Sequence, residues 1–203
     1  FRKRIIFIIY DRMSDYKQSN IGLETERDDY NTGGMMKIID NKVFLYYEGD
    51  HNNYKQQLKA SITEILLTEM IYGGNVREKL TSSTLLNMPE WYIKGLISYV
   101  SNNWDFKIDD KVRDGILSGR YEKFNRLTGN DAVYAGQSIW HYIAKTYGKE
   151  VIPNIVYMAK VNKNAASGFL FVLGRSLKDL TPEWMNYYTT RYENDVEGKH
   201  FPD

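Results

Sequence analysis

The strongest constraint on how this chain folds is the order of its periodicities: strand-like segments come first and helical ones follow. Arg4-Ile-Ile-Phe-Ile-Ile-Tyr10 is short and dense in β-branched residues, which predicts a buried strand. Met35–Ile39 and Lys42–Tyr47 flank Asp40-Asn41, and Asp and Asn tolerate the positive φ values of a tight hairpin turn. From Asn53 the character changes. Leu58, Ile62, Ile65, Leu66 and Met70 recur three and four apart and predict one apolar helix face, with Gly73-Gly74 as its stop. Pro89 suits the first turn of a second helix whose apolar positions are Trp91, Ile93, Leu96, Ile97 and Val100.

Further helices are predicted over 131–147, closed by Gly148, and over 150–160, with a short one inside 109–127. Residues 176–180 read as a helical turn. Thr181-Pro-Glu183 then reads as the cap, first-turn Pro and acidic first turn of a last helix. Ser14–Thr32 reads as a polar loop with at most one edge strand, Gly33-Gly34 as a turn, and 193–203 as a tail or linker. Strands segregated from helices imply an α+β fold: a single domain over 1–192, with a small N-terminal β-sheet in 1–50 and a helical subdomain in 51–192.

A chain of 203 residues is long enough to bury a core without covalent staples. Its formal charge of +1 gives no electrostatic reason for a nucleic-acid partner. Cysteine is absent, which excludes disulfides and thiolate metal sites. No apolar run is long enough to span a bilayer. A start at Phe1 suggests a processed or excised piece of a longer protein.

A helical zinc site wants two histidines four apart, because that spacing puts both rings on one helix face. The chain has three, His51, His141 and His200, expected in a loop, a helix and the tail and nowhere at that spacing. Glu64 and Glu69 lie on the first helix about 140° apart around its axis; Glu64 is the better placed for a cleft. Ser61 has no partner base marked by spacing, no G-x-S-x-G elbow is present, and Gly73-Gly74 lacks the features of a phosphate loop.

Three blocks occur in order: Asn41-Lys-Val-Phe-Leu-Tyr-Tyr-Glu-Gly49 with a helix from Tyr54; Met88-Pro-Glu-Trp-Tyr-Ile-Lys-Gly-Leu-Ile-Ser-Tyr99; and Val133-Tyr-Ala-Gly-Gln-Ser-Ile-Trp-His-Tyr-Ile143 with Tyr147-Gly148. Together they resemble the gluzincin peptidases called peptidase MA-like, in the versions that precede a TolB-like β-propeller in exported bacterial envelope proteins. The resemblance runs from about Lys42 to Tyr188 and implies a gluzincin-like fold without its metal ligands. The family's H-E-x-x-H positions fall on Ala60, Ser61, Ile62, Thr63 and Glu64, or in a register shifted by three on Thr63, Glu64, Ile65, Leu66 and Leu67. The Glu of the second block falls on Lys94, and its second Glu on Ser98. Tyr134 matches a family Tyr that supports the tetrahedral intermediate. An ammonium at the third ligand position repels a dication, so Lys94 is expected to pair with Glu64 within about 4 Å.

The resemblance therefore implies a pseudopeptidase with no cofactor and no metal, exported to the periplasm or associated with the outer membrane. It would act as a binding or scaffolding module for a protein or peptide partner, such as a β-propeller domain of the same chain. An old cleft rich in Trp91, Tyr92, Tyr99, Tyr134 and Trp140 would receive that partner. The rival readings are an active, unorthodox hydrolase, zinc-dependent through His51 or His141, and a structural spacer whose cleft is filled by its own side chains.

Overall fold

A computed structural model describes residues 4–21, 37–39, 41–72 and 88–197, with 195–197 described by backbone alone. The chain is α+β, mostly helical with one small sheet near its start. Strand β1 (Ile6–Tyr10) leads into a short helix α1 (Met13–Gln18), then β2 (Lys37–Ile39) and β3 (Lys42–Tyr46). The sheet order is β1-β3-β2. β3 pairs in parallel with β1, from Ile6↔Lys42 to Tyr10↔Tyr46, and antiparallel with β2, from Ile39↔Lys42 to Lys37↔Phe44. The expected hairpin is therefore present; Asp40 of its turn lies outside the described residues, as do the Gly33-Gly34 and Gly73-Gly74 signals.

Two expectations about this region need correction. The buried strand is β3, whose Val43 to Tyr46 are all buried, because among the described strands it alone has a neighbour on each side. The Ile-rich β1 lies at the edge among the described strands, and Ile6 and Ile9 are 45% and 49% exposed. The segment expected as loop from Ser14 begins inside α1, which places Tyr16 in a small cluster with Phe44 and Tyr46; residues 22–32 lie outside the described ones.

The helical layer follows: α2 (His51–Tyr72), α3 (Glu90–Ser101), α4 (Phe106–Leu117), a 3-10 turn at Phe124–Arg126, α5 (Gly129–Tyr147), α6 (Val151–Val161), α7 (Ala165–Leu173) and α8 (Leu177–Glu197). His51 opens α2 and is not in a loop. The buried face of α2 is not the apolar stripe expected from the sequence. Gln57, Ala60, Ser61, Leu67 and Ile71 face inward, while Ile62 and Leu66 are 43% and 48% exposed. The reason is hydrogen bonding. Gln57 Oε1 accepts from the Tyr46 backbone N–H at 3.3 Å, and its Nε2 donates to the Tyr46 carbonyl at 3.1 Å. One buried carboxamide thus pairs with the end of β3 as a further strand would, and a satisfied polar group is tolerated in a core. Ser61 is satisfied in the same sense by its own helix, donating to the Gln57 carbonyl.

α7 was not foreseen. Asn164 caps it by accepting from Ala166 N–H at 2.8 Å, and Gly174 ends it in the left-handed conformation at φ 66°. α8 begins earlier and ends later than expected. Ser176 caps it: its Oγ accepts from Asp179 N–H at 3.2 Å and donates to the Asp179 carboxylate at 2.6 Å. Thr181 is not a cap but an interior residue whose hydroxyl donates to the Leu177 carbonyl, and Pro182 is carried inside the helix. The helix continues to Glu197, into the stretch expected as a tail.

Packing is tightest where α3 crosses α5. Gly95 and Gly136 meet there backbone to backbone: a methyl group built on Gly136 would stand 2.8 Å from Gly95 Cα and 2.9 Å from the Trp91 carbonyl carbon. Around the crossing, Trp91, Tyr92, Trp140, Phe169 and Trp184 are fully buried in one aromatic core. Each indole N–H finds an acceptor: Trp91 in Asn125, Trp140 in the Tyr92 carbonyl and Trp184 in Ser138, all at 3.1 Å. Satisfied indole groups let these large rings occupy the interior.

Candidate functional site

The positions singled out by the family resemblance fall on the facing sides of α2 and α3 and on α5. Ala60 and Ser61 are fully buried on the inner face of α2. Glu64 is half-buried one turn on, and in the shifted register Leu67 is buried while Thr63 donates to the Lys59 carbonyl at 2.7 Å. Ser98 is buried on α3, and Tyr134 is half-buried on α5. Lys94 does not show the expected bridge. Its ion pair among the described residues is with Glu90, at 2.7 Å along its own helix. The spacing of four explains it, since residues one turn apart sit side by side.

Glu90 also reaches across to α5, where its second oxygen accepts from Gly129 N–H at 2.8 Å. Partial burial acts to raise the pKa of this carboxyl. The hydrogen bond from Lys94, the bond from Gly129 and the Lys94 charge outweigh it, and the net direction is down. Lys94 therefore serves Glu90, and Glu90 serves the N-terminus of α5.

The aromatic cleft expected from the sequence does not form as such. Trp91, Tyr92 and Trp140 have no exposed surface. Only Tyr99 and Tyr134 of that set are half-buried. The aromatic side chains fill the interior because the glycine crossing brings α3 and α5 close enough to enclose them.

What is open instead is a polar cleft of about 250 Å³ between the start of α2, the α3–α4 junction and the first turns of α5. Ser98, Tyr134 and Gln137 line it, with Gln56, Asn102, Asn103 and Asn130 around them. Ser98 donates to Gln137 Oε1 at 2.6 Å and accepts from Asn102 Nδ2 at 3.0 Å. Of the six positions named by the resemblance, the fold brings two, Ser98 and Tyr134, to this cleft. The carboxamides around it were missed. Gln137 stood in plain view inside the Tyr-Ala-Gly-Gln-Ser block, but no periodicity links it to Gln56 or Asn102.

His141 belongs to a separate cluster. Its ring stacks on Trp104 with centroids 4.5 Å apart, and its Nδ1 lies 3.0 Å from the Tyr188 hydroxyl. That hydroxyl donates to the Ser138 carbonyl at 3.2 Å, so Nδ1 carries the proton shared with it. Burial, then the Lys145 and Arg191 charges, push the His141 pKa down to about 4 against the opposing pull of Asp109. Asp109 ties the surroundings together, accepting from Trp104 Nε1 at 2.9 Å and facing Arg191 at 3.4 Å. His51 is exposed beside the Tyr47 hydroxyl, at 3.1 Å, and His200 lies outside the described residues. Among the described residues no three His, Asp or Glu side chains gather in a metal-holding group, and no helix is long and apolar enough to cross a membrane.

No protein-family model, curated protein or solved structure matches the chain.

Proposed function

We propose that this domain is a metallopeptidase-like module without catalytic activity. It serves as a binding or scaffolding part of a larger, exported cell-envelope protein and docks a protein partner such as a neighbouring β-propeller domain. The observation that supports this reading is the use made of the ligand positions. The Ala60 methyl is sealed in the core, Ser61 donates to its own helix, Ser98 is committed to Gln137, and Lys94 holds Glu90. Ala60 brings no donor atom, and Ser61, Ser98 and Lys94 each do structural work in place of ligation.

The test is zinc content together with casein cleavage by the purified protein. Stoichiometric zinc, or cleavage that a chelator abolishes, overturns the proposal. A second reading, the structural spacer, draws support from Trp91, Tyr92 and Trp140 filling the space expected to be a cleft. Thermal melting separates the two. A docked partner raises the melting temperature of the domain by mass action, whereas a spacer melts alike with and without its neighbours.

A further inference from the structure

The polar cleft has a lining that none of the packing roles requires. Gln137 is only 1% exposed, yet only its oxygen is engaged, by Ser98; no acceptor among the described residues takes its amide nitrogen. That nitrogen is not sealed from solvent: it stands in the wall of an open cleft, where a ligand acceptor can reach it. The relay Asn102 to Ser98 to Gln137 fixes its orientation, since each group has one partner already set.

We infer that this cleft is a binding site for a neutral, polyhydroxylated ligand, a saccharide unit. A hydroxyl is donor and acceptor at once, and a carboxamide offers both functions side by side. Gln56, Asn102, Asn103, Asn130 and Gln137 bring five carboxamides to one cleft. They come from three parts of the fold, so polar groups reach the cleft from more than one element. A peptide strand would present its groups along a line and call for a linear array. The volume of about 250 Å³ lies just below the ~300–1,000 Å³ of sites for drug-sized ligands, which suits a sugar ring. Val133, Ile108 and the half-buried Tyr134 ring supply apolar surface for the C–H face of such a ring. Asp105 and Lys107 at the exposed edge offset each other, so the cleft carries no bias toward an anionic ligand. The site goes beyond the scaffolding role and stands whether or not a partner protein docks elsewhere.

The experiment is a titration of the whole ¹⁵N-labelled chain with maltose, cellobiose, lactose and N,N′-diacetylchitobiose, and in parallel with the neutral capped peptide N-acetyl-trialanine amide. The expected result is saturable shifts of the Gln137 and Asn102 side-chain amide signals with at least one sugar. Gln137→Leu weakens that sugar about fivefold, the loss of one neutral hydrogen bond. Because Gln137 is buried, Asn130→Ala at the exposed rim serves as a second variant that keeps the fold and weakens binding to a similar degree. Shifts with the peptide and none of the sugars overturn the assignment, as does silence of the cleft signals toward all five probes, or sugar binding that neither variant weakens. Zinc content and partner docking are untouched by any of these outcomes, so a failed sugar site and a failed scaffolding role are read separately.

Discussion

Gly136→Ala is the most direct test of how α3 and α5 are held. In a free helix the change would stabilise the protein by about 1 kcal/mol, the difference in helix propensity between Gly and Ala. Here the new methyl group would lie 2.8 Å from Gly95 Cα and closer still to the Trp91 carbonyl oxygen. Carbon atoms prefer about 3.5–4.0 Å, so the helices must part by about 1 Å. The neighbouring atoms are backbone and cannot swing aside. Parting by that much forfeits a quarter to a half of the dispersion energy of contacts across the crossing, and overpacking of this kind costs about 1–3 kcal/mol or more. The clash is with backbone and lies at the upper end of that range, so after the propensity gain of about 1 kcal/mol the expected net loss is about 2 kcal/mol, a fall of about 4–8 °C in Tm for a chain of this size. Thermal and urea unfolding followed by circular dichroism measure it. Gly95→Ala should act in the same direction, and the double variant should lose less than the sum, since one separation relieves both clashes. A Gly136→Ala protein more stable than the parent would show that the helices do not touch there and would refute the crossing.

Three other outcomes follow from the same geometry. Tyr92→Phe should stabilise the fold by about 1 kcal/mol in urea titration, because the Tyr92 hydroxyl is buried with no hydrogen-bond partner among the described residues. Glu90→Ala should cost about 1 kcal/mol by losing the acceptor for Gly129 N–H at the start of α5, and Glu90→Gln should recover part of it. The His141 pKa is depressed in the fold, from 6.5 to about 4, so the unfolded chain binds this proton first as pH falls. Its share of stability is complete above about pH 6.5, declines as pH drops toward 4 and is gone below it, at most about 3 kcal/mol. His141→Gln should flatten that part of the stability–pH curve, and an unchanged slope would remove His141 from the account.

The hairpin, α3, α5 and α6 were legible because local chemistry and periodicity agree there. Asp40-Asn41 separates two strands, Pro89 precedes α3, and Gly148 closes α5 at φ 91°. The misreadings have a common cause. Hydrophobicity alone predicts burial, but a satisfied Gln57 and Ser61 face inward on α2 while Ile62 and Leu66 remain half exposed. Pro182 reads as a helix start, but Ser176 with Asp179 three residues later makes the better cap. The resemblance pairs Lys94 with a distant Glu64, but Glu90 stands one turn away and takes it.

The sequence by itself determined the α+β class, the order of strands and helices, and the absence of histidines at ligand spacing, because each is a property of neighbours along the chain. Only the tertiary structure decided which residues share a space. It placed Trp91 and Trp140 in the core, made Gly95 and Gly136 a crossing point, and gathered Gln56, Asn102 and Gln137 around one cleft. Side chains from separate helices meet through packing alone, and no spacing along the chain records that meeting.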